Sequence, residues 1–371
     1  MKKWELCACL CATAAIFTAC DESEETSSWG QEIQWTTEKS GALVLNAGNE
    51  YSGIDGEISV FDYATQSCVT GAFNAQNGRS LGLTPNGAIV YGSKIYIAVT
   101  SSNTIEIINR ADMKSAKQLT FANHTTLTMP RDVVAYEGYV YASFYSGHVA
   151  RIDTTTFAID KTVEVGVRPE RMTIAGNYLY APNSGEDTNF DKTVSKINLS
   201  TFKVEKTIEV ALNPTALETD ANGRVYALCM GNYYDIPSAI YRIENDGESY
   251  TKVAEATMFD IHKNSNTLYA VNAPYGAPKN DYFCIDLNQN NGTFTAQEMA
   301  IEVEYPAAIA VDPTTQNIIL TSYEIIDGYA SYSTPGYAKM YKADGTQVAR
   351  FNVGVGPTFA TFFTDSKLTV Q

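Results

Sequence analysis

The feature that most constrains this chain is a short strand that recurs about one anchor position, at Leu43, Tyr96, Tyr141, Tyr180, Tyr226, Tyr269 and Ile319. The anchors stand roughly 40 to 50 residues apart, and β-type residues carry the period. No helical periodicity of useful length follows residue 40. The pattern predicts an all-β fold, a seven-bladed β-propeller with four-stranded sheets around a central channel.

The blades can be read strand by strand. Each anchor strand follows a short apolar strand that usually opens at proline: Pro85, Pro130, Pro169, Pro214, Pro306 and Pro357, with Met258 in the sixth repeat. Proline at a strand's first residue sacrifices no ladder hydrogen bond. A third strand follows each anchor, such as Ile58 to Asp62 or His148 to Ile152, and then an alternating fourth, such as Lys161 to Val165. Strands apolar on both faces belong near the channel and alternating strands at the rim. The tail from Gly356 to Phe363 matches the innermost strand missing before Leu43, so the chain's end is expected to complete the first blade and hide two sheet edges.

Three segments are expected: a signal peptide over residues 1–19, a lipidated cysteine and polar tether over 20–40, and the propeller over 41–371. Lys2 and Lys3 precede an apolar run from Leu6 to Phe17, too short to span a membrane and readable as a secretory core. The run ends Phe17-Thr-Ala-Cys20, which resembles a bacterial lipobox; Cys20 is then the lipidation site. The acidic block Asp21-Glu-Ser-Glu-Glu25 resembles the signal that sends Bacteroidetes lipoproteins to the outer face of the outer membrane. It also reads as a solvated linker, and the tether reaches at most ~65 Å when extended. The formal charge of −16 disfavours nucleic acid as a partner.

Beyond the leader and the lipidated Cys20, only Cys68, Cys229 and Cys284 remain. None is spaced as CxxC, which disfavours zinc and a redox dithiol. Buried thiols are expected, with a Cys229–Cys284 bridge as the alternative.

In a propeller the loops between second and third strands share one face with the segments entering the innermost strands. The sequence diversity lies there, and it is rich in tyrosine and asparagine, a recognition chemistry of broad aromatic area and paired donor and acceptor. The candidate ligand-binding residues are Asn49, Tyr51, Phe144, Tyr145, Asn183, Phe190, Asn232, Tyr233, Tyr234, Asn272, Tyr275, Tyr323 and Tyr332. Together they would form a bowl for an uncharged, amide- or hydroxyl-rich ligand, unless they pack on their own loops. Arg131 and Arg171, with Arg168, enter innermost strands near the channel mouth. They are placed to hold an anionic group or to pair with Asp132 or Glu170. His124, His148 and His262 share no metal-ligand spacing, and no serine elbow or regular calcium loop occurs, so no catalytic residue, metal or cofactor is assigned.

The anchor strands Leu43-Val-Leu-Asn46, Tyr180-Ala-Pro-Asn183 and Tyr269-Ala-Val-Asn272 resemble the Tyr-Val-Thr-Asn repeat of extracellular surface-layer-type propellers. With the lipobox, the opening Ala42-Leu-Val-Leu-Asn-Ala-Gly-Asn49, the turns Asp62-Tyr-Ala-Thr65 and Asp153-Thr-Thr-Thr-Phe157, and the closing Val353-Gly-Val-Gly-Pro357, the chain resembles Bacteroidetes propeller lipoproteins that partner TonB-dependent transporters. The best known of these capture vitamin B12. The resemblance implies an outer-membrane, cell-surface lipoprotein that binds a corrinoid as ligand on its loop face and passes it to a transporter. A glycan or protein partner on the same face, and a propeller lyase, remain open alternatives.

Overall fold

Each repeat alternates β-branched or aromatic runs with turn residues, and each folds as an antiparallel four-stranded sheet. The computed structural model describes residues 25–26, 32–33, 40–289 and 293–363, and within these the sheets form a seven-bladed β-propeller. Blade 2 shows the plan: Pro85–Tyr91 innermost, then Lys94–Val99, Thr104–Asn109 and, at the rim, Ser115–Thr120. Ile95, Ile97, Val99, Ile105 and Ile107 of the two middle strands are fully buried, whereas the rim strand is largely open to water. Neighbouring blades cover both faces of a middle strand, which is why those strands lack polar alternation.

The core is divided in the same way, into seven apolar clusters that each join two adjacent blades. Leu43, Ile58, Phe73, Ile95 and Ile97 pack between blades 1 and 2. Val44, Phe61, Ile319, Met340, Phe351 and Phe362 pack between blades 7 and 1, with the Phe61 and Phe351 rings stacked 4.2 Å apart. Each such side chain stabilises the ring by about 1.5–3 kcal/mol. Closure occurs as the sequence indicates: Pro357–Phe363 is the innermost strand of blade 1 and runs antiparallel to Gly41–Asn46, with Leu43 opposite Thr361 and Val44 opposite Ala360.

The anchors are framework. Tyr96, Tyr141, Tyr226 and Tyr269 are at most 2% exposed. The asparagine that ends the anchor motif has a structural use as well. Asn46 Nδ2 donates to Ser59 Oγ at 2.9 Å, and Asn183 Nδ2 donates to Thr193 Oγ1 at 2.9 Å and Ser195 Oγ at 3.1 Å. Each tethers its second strand to the third by a side chain. Asp62 and Asp153 open the turns after the third strands, accepting hydrogen bonds from the backbone of Ala64 and Thr65 and of Thr155 and Thr156.

Departures from the expected plan are local. A short helix, Ala72–Asn77, joins blade 1 to blade 2 and buries Phe73. In the fourth repeat the innermost strand begins at Thr173 rather than Pro169, which forms an isolated bridge to Asn183. The long loop of blade 7 contains its own hairpin, Glu324–Ile326 with Tyr329–Ser331. Cys68, Cys229 and Cys284 are free thiols, Cys229 buried and the others half-buried. Burial pushes the Cys229 thiol up to about 12.

The chain divides into two units, Met1–Thr36 and Thr37–Gln371. Within the first, Glu25–Thr26 pairs with Glu32–Ile33. The expected leader and Cys20 lie outside the described residues.

Candidate functional site

The second-to-third-strand loops are unequal around the ring. In blade 2 the turn is Thr100–Asn103, in blade 3 it is Tyr145–Gly147, and in blade 4 the strands Tyr178–Glu186 and Asn189–Asn198 leave only two residues between them. Blades 5, 6, 7 and 1 carry the long loops. Tyr233 and Tyr234 lie on blade 5, Tyr275 on blade 6, Tyr329 and Tyr332 on blade 7, and Tyr51 on blade 1. Tyr51, Tyr234 and Tyr275 are essentially fully exposed, and Tyr233, Tyr329 and Tyr332 more than half so. The aromatic surface is therefore a half-collar over four contiguous blades rather than a complete bowl. Tyr329, one of the loop aromatics, joins the collar beside the Asp327-Gly328 hairpin turn.

The collar is braced from beneath. Asn49 caps a single 3-10 turn over Glu50–Ser52 and donates to the Tyr332 carbonyl at 2.8 Å, while the Ser52 and Ser333 hydroxyls meet at 3.0 Å. These contacts join the loops of blades 1 and 7. Tyr323 supports Tyr332 edge to face at 4.8 Å, and burial raises its phenol pKa. Asn232 Oδ1 accepts from the backbone N–H groups of Tyr234, Asp235 and Ile236, which folds the blade 5 loop on itself. The half-buried Phe190 of the blade 4 hairpin meets the Tyr233 ring edge to face at 5.7 Å. Asn272 ends its strand, half-buried, opposite Asp281.

Two expected site residues are corrected to framework. Phe144 is fully buried because it is still the last residue of its strand, where it packs edge to face on Phe121 at 4.9 Å. Asn183 is fully buried because its strand continues to Glu186, so its side chain serves the interstrand tether. Asn49 and Asn232 sit on the face, but their amide groups organise loops.

Opposite the collar, blades 3 and 4 present a polar cluster. Glu170 accepts from Arg131 Nε at 2.5 Å and from the Tyr145 hydroxyl at 2.7 Å. The Arg131 and Arg168 guanidinium groups lie 5.2 and 5.9 Å from the Tyr145 ring centre, and Arg168 also pairs with Asp187. Burial, reinforced by Glu170 against the pull of Arg131, raises the Tyr145 phenol. Of the two outcomes expected for Arg131, the structure shows the ion pair with Glu170.

Between collar and cluster the channel opens as a cavity of about 260 Å³, lined by Asn86, Arg131, Glu170, Arg171, Met230 and Tyr233 among others. Arg171 lies deeper, its guanidinium 5.0 Å from the Phe359 ring centre. Asp132 is buried beside it and accepts from Met172 N–H at 2.8 Å. Burial pushes its carboxyl up to about 6 although Arg171 and the backbone donors oppose the shift. The face thus offers aromatic area on one side, a satisfied ion-paired cluster on the other and a polar well between them.

The three histidines serve turns. His124 Nδ1 bonds the backbone of Thr126 and Leu127, His148 Nδ1 meets the Ser146 carbonyl, and His262 meets Ser265 Oγ and the Pro313 carbonyl. Among the described residues no group of three or more His, Cys, Asp or Glu is arranged to hold a metal ion.

Among solved structures the chain is similar in fold to a quinonprotein alcohol dehydrogenase-like protein from Bacteroides thetaiotaomicron (14% identity, TM-score 0.62, covering 88% of this chain and 78% of that one). It is similar also to a candidate 6-phosphogluconolactonase from Bacteroides fragilis (14%, 0.61, 89% and 99%) and to hydrazine synthase from Kuenenia stuttgartiensis (13%, 0.60, 76% and 96%). At these identities the likeness concerns the fold, and the enzyme names stay with those proteins. No curated protein matches the chain. A family model does, over residues 40–362, the whole propeller: the chain belongs to the DUF5074 family, a domain of unknown function.

Proposed function

We propose that this propeller is a ligand-capture protein of the cell surface, anchored through Cys20, that binds a corrinoid on its loop face and passes it to a TonB-dependent outer-membrane transporter. The observation that carries the reading is the half-collar: exposed tyrosines at Tyr51, Tyr233, Tyr234, Tyr275, Tyr329 and Tyr332, on contiguous blades, facing an ion-paired cluster across the channel mouth. A large planar ligand with amide-bearing edges suits such a face. Its ring would lie on aromatic area and its amides would meet Asn, Tyr hydroxyl and backbone groups. With Glu170 already served by Arg131 and Tyr145, the cluster does not demand a charged ligand. Binding rather than turnover also fits histidines committed to turns.

The test is titration of the full chain with cyanocobalamin, read by quenching of tyrosine emission and by calorimetry at low and high salt. Tight, salt-insensitive binding that weakens in Tyr233→Ala and Tyr234→Ala is expected. No binding at micromolar concentrations removes the corrinoid from the proposal.

A second reading, a protein or glycan partner on the same face, is favoured by the blade 7 hairpin, which exposes Ile326 and Tyr329 at the edge of the collar. A transporter that co-purifies with the chain and is indifferent to cobalamin distinguishes it.

A further inference from the structure

The channel has a second cavity, on the side away from the loop face, that the capture reading leaves unused. Its volume is about 640 Å³, in the range of small-molecule sites. Ile89, Val134, Ile174, Ile261, Val311 and Phe362 of the innermost strands give it apolar walls. Asp132, Arg171, Phe259 and Ile309 line both this cavity and the loop-face well, so they mark the constriction where the two meet. Lys263 and Asn264, on the turn between the first two strands of blade 6, stand at the outer mouth, as does Arg110.

The charged groups inside are unequally served. Asp132 accepts from Met172 N–H at 2.8 Å. Asp260 accepts from Ile261 N–H at 2.7 Å and from Val311 N–H at 2.6 Å. Glu218 lines the cavity, yet no hydrogen bond reaches its carboxyl among the described residues. Arg171 packs on Phe359 and forms no ion pair among the described residues. The inner part of the cavity therefore sets three carboxyl groups against the Arg171 guanidinium and the Lys263 ammonium, and Glu218 has no donor.

We infer that this cavity binds an organic cation, a protonated primary or secondary amine on an apolar body, with the ammonium against Glu218 and Asp260 and the body against the Ile, Val and Phe walls. An anion would meet three carboxyl groups against two cations, Arg171 and Lys263. A small inorganic ion would leave the apolar walls unused, and a neutral apolar molecule would desolvate Glu218 without supplying a donor. An ammonium provides charge and donors together.

The protonation of the empty cavity agrees with this. Burial, with Asp260 and Asp132 adding to it and Lys263 and Arg171 opposing, pushes Glu218 up to about 8. Asp260 is pushed up to about 6, again chiefly by burial. Near neutral pH the Glu218 and Asp260 carboxyls thus share a proton that an arriving ammonium expels to the buffer, leaving carboxylate paired with the ligand.

Calorimetric titration of the full chain with phenethylamine, 2-phenylethanol and 3-phenylpropanoate tests the inference. The amine is expected to bind, the alcohol at least about tenfold more weakly, and the carboxylate not at all. Amine affinity should rise with pH between about 6 and about 8 and then level, with a proton released on binding. Glu218→Gln should weaken the amine about 10- to 100-fold while leaving the alcohol unchanged. Asp260→Asn serves as a second variant should the first not fold, and the wild-type pH profile stands without either. Equal affinity for amine and alcohol, a flat pH profile, or no amine binding at millimolar concentration overturns the inference.

Discussion

Arg131 Nε meets Glu170 Oε2 at 2.5 Å, linking the innermost strand of blade 3 to the segment that leads into blade 4. The Glu170 side chain is only 9% exposed, so its charge depends on that guanidinium and on the Tyr145 hydroxyl. Removing one partner of a pair placed in this way strands the other. Arg131→Ala is expected to destabilise the chain by ~3 kcal/mol in urea unfolding at neutral pH, and Arg131→Met with Glu170→Gln to recover most of that loss. A cost below ~1 kcal/mol for Arg131→Ala would mean that the pair does not hold the blades together and that Arg131 is free for a ligand.

Tyr233 adopts a left-handed backbone, with φ of 59°, on a loop where it is 66% exposed and lines the channel mouth. The side chain is mostly exposed and its ring meets Phe190 only edge to face at 5.7 Å, so packing offsets little of the strain, on the order of 1 kcal/mol, that this conformation adds. Tyr233→Ala should therefore leave the unfolding midpoint nearly unchanged, and Tyr233→Gly should be about 1 kcal/mol more stable than the alanine variant. Both should lose affinity for whatever the loop face binds. A stability loss beyond ~2 kcal/mol in Tyr233→Ala would recast this tyrosine as loop core.

The architecture was legible because its determinants are periodic. Leu43, the five tyrosines and Ile319 occupy one register, and Pro357–Phe363 supplies the one strand that the repeat lacked. The face was legible only in part, because loop boundaries depend on pairing that a single repeat does not announce. Asn183 looks like a loop residue until Thr193 is seen opposite it, and Phe144 until His148 is. The half-collar was hidden for a related reason: short turns and long loops both read as breaks, and only the strand ends show that blades 2, 3 and 4 have almost no loop to offer.

Two of the three channel carboxyls were missed. Glu218 and Asp260 sit inside apolar runs, Ala216-Leu-Glu-Thr219 and Met258-Phe-Asp-Ile261, where the alternation alone does not say that the odd residue faces an axis. Asp132 occupies a comparable strand in blade 3 and was considered only as a partner for arginine. A charged residue recurring in the innermost strands of several blades was the available signal.

Ring closure makes a further prediction. Phe362 is 9% exposed and packs in the cluster between blades 7 and 1, against which Cys68 also rests. Phe362→Ala is expected to cost about 3–5 kcal/mol. Because the damage falls at the closing seam, Cys68 should react faster with a thiol reagent in the variant, while the buried Cys229 stays slow. Equal acceleration at both cysteines would point to global unfolding instead of a loosened seam.

Acidity offers the most direct check on the channel. The Glu218 carboxyl has an ordinary value of 4.5 and is pushed up to about 8 in the fold, chiefly by burial. The folded chain therefore binds a proton there that the unfolded chain has released between those values. This contribution to stability is fully present below about pH 4.5 and is lost as pH rises through about 8. Asp132 and Asp260, both raised to about 6, add the same sign of slope over a narrower window. Glu218→Gln removes the largest part, so its stability should match the wild type in mild acid and exceed it by on the order of 2 kcal/mol in mild alkali. Urea midpoints measured across that range give the answer: two curves that stay parallel would mean that Glu218 ionises as freely in the fold as out of it, and a variant curve that flattens while the wild type falls would mean that the cavity wall holds its carboxyl protonated.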